Sequence, residues 1–165
     1  FVLSWQRYWR YALTEELDDT FGADFVGNVG FSAGNVYVFG EAGFMFRFGY
    51  NIPHDFGTSL IGPAGTYGTP IDDDDPRLAD DFEFSVYGFA GTEQRIIGRN
   101  IFLDGNTFAN SASIDKHVWV GDFRAGVGAS LGPVYASFSM DWRTNEFIGE
   151  SGGQWFGSVN LGVVF

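Results

Sequence analysis

The sequence lacks cysteine and long apolar runs, and it contains a single lysine, Lys116. Without cysteine there is no disulfide framework and no thiolate site. No stretch reaches the roughly 18 consecutive apolar residues of a membrane-spanning helix, and no basic, apolar signal segment opens the chain. The chain starts at Phe1 in the middle of a pattern, which we interpret as a mature chain or a fragment. The net charge of -12 argues against nucleic acid as a partner and favours cations.

What the sequence does contain is an unusual pairing of aromatic residues and glycine. Its 165 residues include 19 Phe, 7 Tyr, 5 Trp and 24 Gly, enough chain for one domain. Aromatic residues favour strands and glycine disfavours them, and β-barrels are a class that combines both.

Alternation of period two predicts seven strands and no convincing helix. The strands are predicted near residues 1–10, 20–32, 35–50, 82–101, 117–131, 134–145 and 154–165. In the fifth strand, Trp119, Phe123 and Val127 share one face, and Asp122 and Arg124 share the other. One face of each clear strand is therefore apolar, and the other is small or polar.

The charged residues on the polar faces distinguish a membrane barrel from a soluble sandwich or barrel. A soluble sheet would carry many lysines and glutamates on its wetted face. Here the polar faces instead carry arginines and acids separated by glycine and serine: Arg47, Arg124 and Arg143 beside Glu41, Asp122 and Asp141. This pattern predicts a narrow lumen packed with bidentate ion pairs. A register slip by one residue would expose arginine to lipid at a cost of roughly 2–4 kcal/mol.

The tryptophans support the same interpretation. If the last strand ends at the periplasmic rim, Trp119, Trp142 and Trp155 all point outward near the extracellular rim. The phenylalanines expected near the opposite rim are Phe21, Phe48, Phe82 and Phe165. Such aromatic girdles are typical of outer-membrane barrels. The sequence thus predicts an all-β fold, an antiparallel transmembrane β-barrel in the outer membrane of a Gram-negative bacterium.

Seven antiparallel strands cannot close a barrel, because the first and last would run in the same direction. Two unpaired edges in lipid would leave rows of unsatisfied backbone groups. We therefore expect an odd number of further strands, either N-terminal to Phe1 or supplied by another chain.

Several segments resemble a known family. RNIFLDGNTFANSASIDK (99–116), AGFMFRFGYNIPHDFG (42–57), GNVYVF (34–39) and the closing FGSVNLGVVF are similar to the outer-membrane lipid A 3′-O-deacylases of the LpxR type, and the similarity runs from LSWQRYWR to the C-terminus. The resemblance implies a twelve-stranded barrel, of which residues 1–165 would be the C-terminal part of one domain. It also implies Ca²⁺-dependent hydrolysis of the 3′-linked acyloxyacyl ester of lipid A, with lipopolysaccharide as the membrane partner.

The resemblance assigns no catalytic, binding or metal-ligating residue to this chain. In the family, the histidine general base and the residues that shape the calcium and oxyanion sites lie in the N-terminal half, and those motifs have no match here. The fragment alone is therefore not expected to be an enzyme. It would contribute scaffold, lipid-facing wall and loop support.

The two histidines and the polar loops are candidate sites. His117 is expected to be a rim residue, and His54 to lie beside Asp55 in a periplasmic loop over 51–81. The acidic run 71–81 lacks the spacing of an EF-hand and is expected to be a solvated loop. Three further groups are polar: Asp104, Asn106 and Thr107 at the rim, where a plain turn is preferred over contact with sugar or phosphate; Glu93, Arg95 and Arg99, expected in the lumen; and Thr92 and Gln94, which face outward through a bulge or an extension of the strand above the membrane.

Three functions from different classes remain open at this stage. The complete protein is a lipid A deacylase, a passive pore, or a structural or interaction barrel that has no chemistry. The charged, paired lumen argues against the pore.

Overall fold

A computed structural model describes residues 1–13, 21–57, 68–79, 82–106 and 112–164. It contains seven strands and one short helix: β1 (Val2–Ala12), β2 (Phe21–Gly34), β3 (Tyr37–Tyr50), β4 (Phe84–Asn100), α1 (Ile101–Asp104), β5 (Trp119–Leu131), β6 (Val134–Arg143) and β7 (Gln154–Val163). The strands form one sheet in chain order, and each neighbouring pair is antiparallel. The predicted all-β antiparallel fold is confirmed, and each strand end lies within two residues of its predicted position.

The helix α1 corrects the prediction that the chain has no helix. It is a single turn of four residues directly after β4. The side chain of Asn100 caps its first turn by accepting a hydrogen bond from the backbone of Phe102 at 3.1 Å. Gly105 ends it with φ of 79°, a conformation that favours glycine. A turn this short has too few residues to show helical periodicity in the sequence.

The two faces of the sheet differ as the alternation predicts. On β3, the outward Phe44, Phe46 and Phe48 are 49%, 43% and 47% exposed, whereas the inward Arg47 is fully buried. Phenylalanine that stays exposed beside buried arginine reverses the arrangement of a soluble sheet. The outer face is therefore an apolar wall and the inner face a polar interior.

Glycines on the inner face make room for large side chains of neighbouring strands. A Cβ atom at Gly128 would lie 2.5 Å from Cζ of Tyr87, and one at Gly162 would overlap the ring of Tyr135. The tyrosine rings occupy the space that a side chain at these positions would need. This packing explains why one sequence is rich in both aromatic residues and glycine.

The strand ends form two rims. We call the rim that carries Trp119, Trp142 and Trp155 the tryptophan rim, and the opposite one the loop rim, because the segment after β3 leaves from it. The Trp142 ring lies 5.4 Å from Phe123 and 6.4 Å from Trp155 between centroids, so the predicted grouping of these outward aromatic residues is confirmed. Phe165 lies outside the described residues.

The sheet remains open within the part of the chain that the structure describes. There, β1 pairs only with β2, and β7 pairs only with β6. In the same ranges, no helix has the length and apolar character needed to cross a membrane.

Candidate functional site

Arg47 is the centre of an ion-pair network in the interior near the loop rim. Strand alternation points it inward, and the β2–β3 register sets it opposite Asp24. Its Nε and Nη2 atoms donate to the two carboxylate oxygens of Asp24 at 2.8 and 2.6 Å, a bidentate pair. Arg10 donates to the same carboxylate at 2.5 Å. The predicted bidentate pairing is confirmed here, while Glu41 instead accepts a hydrogen bond from Gln6.

The segment after β3 folds back into this network. Asp55 accepts a hydrogen bond from Nη1 of Arg47 at 2.5 Å and lies 3.0 Å from Nη2 of Arg77. Arg77 in turn makes a bidentate pair with Asp75 at 2.8 and 2.7 Å. All four of these side chains are at most 2% exposed. We call the described parts of this segment, residues 51–57 and 68–79, the inner loop.

The inner loop corrects the expectation that residues 71–81 form a solvated loop. Asp72, Asp73 and Asp74 are exposed as expected, but Asp75 and Arg77 are buried. Residues 80–81 lie outside the described part of the chain. A run of acidic residues stays in solvent unless a cation pairs with it in the interior. Here Arg77 pairs with Asp75 and Asp55, and Asp75 is therefore buried.

Hydrogen bonding fixes the charge state of Asp75. Burial by itself raises the pKa of this carboxyl, but the guanidinium and the backbone N–H of Arg77 donate to it and outweigh burial. The net result is a pKa below the usual range. The Arg77 guanidinium also lies 5.4 Å from the ring centre of Tyr135, so it is held on two sides.

A second network fills the interior nearer the tryptophan rim. Asp122 on β5 lies between Arg95 on β4 and Arg143 on β6, and it accepts a hydrogen bond from Nε of Arg143 at 2.6 Å. Arg124 pairs with the buried Asp141 of the neighbouring strand. The sequence-predicted lumenal charges on β4, β5 and β6 are thus brought together in ion pairs.

Glu93 and Arg95 belong to this second network, as predicted, with 4.0 Å between Oε1 of Glu93 and Nε of Arg95. Arg99 lies nearer the end of β4 than these two residues and donates a hydrogen bond to the carbonyl of Gly105 at 3.3 Å. The outward Thr92 and Gln94 are half-buried. Gln94 donates a hydrogen bond to Thr92 at 2.5 Å, and Thr92 donates one to the Asp122 carbonyl at 2.8 Å. These hydrogen bonds make two polar residues tolerable on the outer wall.

Between the two networks lies a cavity of about 40 Å³. Asn28, Glu93, Asp122 and Met45 line it, together with Phe56 of the inner loop. Phe56 packs against Tyr8 with 5.5 Å between ring centroids. This volume holds a water molecule or two but no ion pathway. On the described inner face, ion-paired side chains therefore lie on both sides of a small cavity.

The segment from α1 to β5 is fastened at the tryptophan rim by Asp104. Its carboxylate lies 2.5 Å from Nζ of Lys116 and accepts a hydrogen bond from the Asn100 backbone at 2.7 Å. Burial raises the pKa of Asp104, and the Lys116 hydrogen bond outweighs it, so the pKa is lowered. Asp104 thus has a structural role, because it joins Lys116 to the end of β4. Asn106 is exposed, and Thr107 lies outside the described residues.

The two histidines lie in different places. Nδ1 of His54 lies 2.8 Å from a carboxylate oxygen of Asp72 in the inner loop, and both side chains are partly exposed. His117 is exposed just before β5 and lies at the tryptophan rim, as predicted. The structure does not bring them together.

The carboxylates of the described residues do not fit a calcium site. In this part of the chain, no three His, Asp or Glu side chains are placed to hold a metal ion. The buried carboxylates Asp24, Asp55, Asp75 and Asp122 are oriented toward arginine, and a cation would compete with those pairs.

Strand alternation places Asp24 on the polar face, but sequence reasoning missed Asp55 and Arg77, which join it in the interior network. One signal for them exists. Arg77 is the only lysine or arginine between residues 51 and 83, in a segment with many acids. An isolated cation among acids is a reasonable candidate for a buried ion pair.

Comparison with known proteins gives two matches. A family model described as "Outer membrane protein LpxR" matches residues 1–165. The solved structure of LpxR from Salmonella typhimurium matches with a TM-score of 0.75 at 19% sequence identity, covering 99% of this chain and 52% of that one. The chain thus spans about half the length of that protein. No curated protein matches the sequence.

Proposed function

Because this chain belongs to the LpxR family of outer-membrane proteins, we propose that it forms the wall and closed interior of an esterase that removes the 3′-linked acyloxyacyl group from lipid A. The observation that carries the proposal is the family match over the whole chain, residues 1–165. The fold of the chain, an antiparallel sheet with an apolar outer face, supports a place in the outer membrane of a Gram-negative bacterium.

In this proposal the chain is the C-terminal part of one barrel domain. The free edges of β1 and β7 need partners, since unpaired backbone groups in lipid cost several kcal/mol each. We propose that an N-terminal segment or another chain supplies the remaining strands, five of them in a twelve-stranded barrel. The catalytic groups and the Ca²⁺ ligands would lie in those strands, because the buried carboxylates Asp24, Asp55, Asp75 and Asp122 are engaged with arginine.

The ion-paired inner face argues against a passive pore, and the family match favours the enzyme over a structural barrel. Arg47, Asp55 and Arg77 place ion pairs on the lumenal side of this part of the wall near the loop rim, and Asp122 with its arginines does so near the tryptophan rim. Single-channel recording of the complete barrel should show negligible conductance. Open channels of porin size would contradict this reasoning.

The activity is tested on the complete barrel with purified lipopolysaccharide. With Ca²⁺ present, mass spectrometry should show lipid A that has lost its 3′-linked acyloxyacyl group, and a chelator should stop the reaction. His54→Ala serves as a matched variant that should keep full activity, because His54 lies at the loop rim beside Asp72. Lipid A that stays unchanged would refute the enzyme and favour a structural barrel subunit.

A further inference from the structure

A groove of about 450 Å³ lies on the outer side of the tryptophan rim. It lies between the start of β5 and the segment that joins β6 to β7, with His117 and Trp119 on one side and Trp142, Thr144 and Asn145 on the other. We propose that this groove binds the sugar headgroup of an outer-leaflet glycolipid; the site rests on the predicted extracellular position of the tryptophan rim and, for the identity of the glycolipid as lipopolysaccharide, on the proposed function.

The walls of the groove suit the apolar face of a pyranose ring. Trp119 is 52% exposed, and Trp142 is held in place by Phe123 on one side and Trp155 on the other. An indole offers a broad flat surface on which the C–H groups of a sugar can pack, together with an N–H that can donate. These two rings therefore offer both a packing surface for a sugar ring and a donor that can orient it.

The floor of the groove is kept open by glycine. Gly152 and Gly153 have φ of 91° and 64°, a region that side chains rarely adopt. A Cβ at Gly153 would also lie 2.8 Å from Nε1 of Trp142. Asn145 holds this turn in place, accepting from the Gly153 backbone at 2.7 Å and donating to the Glu150 carbonyl at 2.6 Å. The concavity is thus a built feature of the loop.

Polar groups at the edge of the groove can meet sugar hydroxyls. The Thr144 hydroxyl oxygen accepts a hydrogen bond from the Gly121 backbone at 2.9 Å, which fixes its position and leaves its hydrogen available to donate. The His117 imidazole is exposed at the same edge, and its backbone is fixed by a 2.9 Å hydrogen bond to the Glu146 carbonyl. The Thr144 hydroxyl and the His117 imidazole can therefore form hydrogen bonds with the hydroxyl groups of a sugar that packs on the tryptophan rings.

The groove continues into the apolar outer wall. Below it, Phe123, Met140 and Val159 are 42%, 44% and 69% exposed on the lipid-facing side. A ligand with a sugar head and acyl chains would place its head in the groove and its chains along this wall. This continuity favours a glycolipid over a free saccharide, which would gain nothing from the wall.

The test measures binding of rough-type lipopolysaccharide to the complete barrel in detergent, with a chelator present so that no hydrolysis occurs. Trp119→Leu keeps an apolar side chain and should weaken lipopolysaccharide binding about tenfold. Trp5→Leu is the matched control, because Trp5 is also outward and 47% exposed but stacks on Phe31 on β2, far along the sheet. It should leave the affinity unchanged.

A second arm uses phosphatidylglycerol, an anionic lipid without sugar rings, whose binding should not change in Trp119→Leu. Equal loss for both lipids, or equal loss in Trp5→Leu, would reduce the tryptophans to membrane anchors and overturn the site. If Trp119→Leu does not fold, His117→Ala should lower the affinity for lipopolysaccharide about threefold. Wild-type affinity in His117→Ala would also overturn the proposed site. Binding without deacylation by wild-type protein in Ca²⁺ would instead refute only the proposed function.

Discussion

Replacing Arg47 by methionine is expected to release the inner loop from the interior. Arg47 is fully buried and donates to Asp24, to Asp55 and to the backbone carbonyls of Pro53 and Asp55. Methionine keeps much of the volume but offers no donor. Asp24 and Asp55 would then lose the cation that lies between them.

The magnitude follows from what remains around each carboxylate. Removing one partner of a buried ion pair costs about 3–5 kcal/mol. Asp24 keeps its contact with Arg10, and Asp55 keeps Arg77 and a 2.8 Å hydrogen bond from the Gly57 backbone. The cost should therefore lie near the lower end, about 3 kcal/mol, which corresponds to an open loop that is roughly 100-fold more populated.

Trypsin digestion measures this population directly. Arg77 is the only lysine or arginine between residues 51 and 83, and it is buried in the closed loop. Where opening is fast relative to cleavage, the cleavage rate follows the population of the open form. Cleavage after Arg77 should thus be about 100-fold faster in Arg47→Met than in the wild type.

Arg7→Met is the matched control for this experiment. Arg7 is exposed on β1 and lies 5.3 Å from the ring centre of Trp9, away from the inner loop. The same substitution there should leave cleavage after Arg77 unchanged. If Arg47→Met is cleaved at the wild-type rate, the ion pairs do not hold the loop, and the account of a closed interior fails.

Two further predictions concern acid and strand packing. The pKa of Asp75 is lowered in the folded state, so its stabilising contribution is complete above the unfolded pKa of about 4 and is lost as pH falls through the folded value. The protection factors of the inner-loop amides, which compare each exchange rate with the intrinsic rate at the same pH, should fall below about pH 4, and protection factors that persist at pH 2 would contradict this. Gly49→Val should block barrel assembly, because a Cβ there would overlap the Val86 carbonyl, whereas Gly40→Val has open space and should assemble. Heat-modifiable gel mobility distinguishes the two, and normal assembly of both would refute the packing argument.

Much of the candidate site was beyond reach from the sequence. The outward position of Trp119 and Trp142 follows from alternation, and so does the rim position of His117. The groove between them does not, because it depends on the turn at Gly152 and Gly153 and on the hydrogen bonds of Asn145. A turn of this kind leaves no periodic signal, and its neighbours in space come from β5 and β6.

The sequence by itself determined which segments form strands and which side chains of each strand face outward or inward. A barrel wall constrains both faces of every strand, apolar outside and polar inside, so each residue carries information about its direction. This is why Arg47, Asp122 and Arg124 could be assigned to the interior from spacing alone.

Only the tertiary structure decided which charges meet and where the segment after β3 lies. Asp24 and Asp55 are 31 residues apart and share the guanidinium of Arg47, while Asp75 reaches the same network through Arg77. Such partners are chosen by three-dimensional distance and by the high cost of burying an unpaired charge. An irregular segment has no period from which that choice could be read.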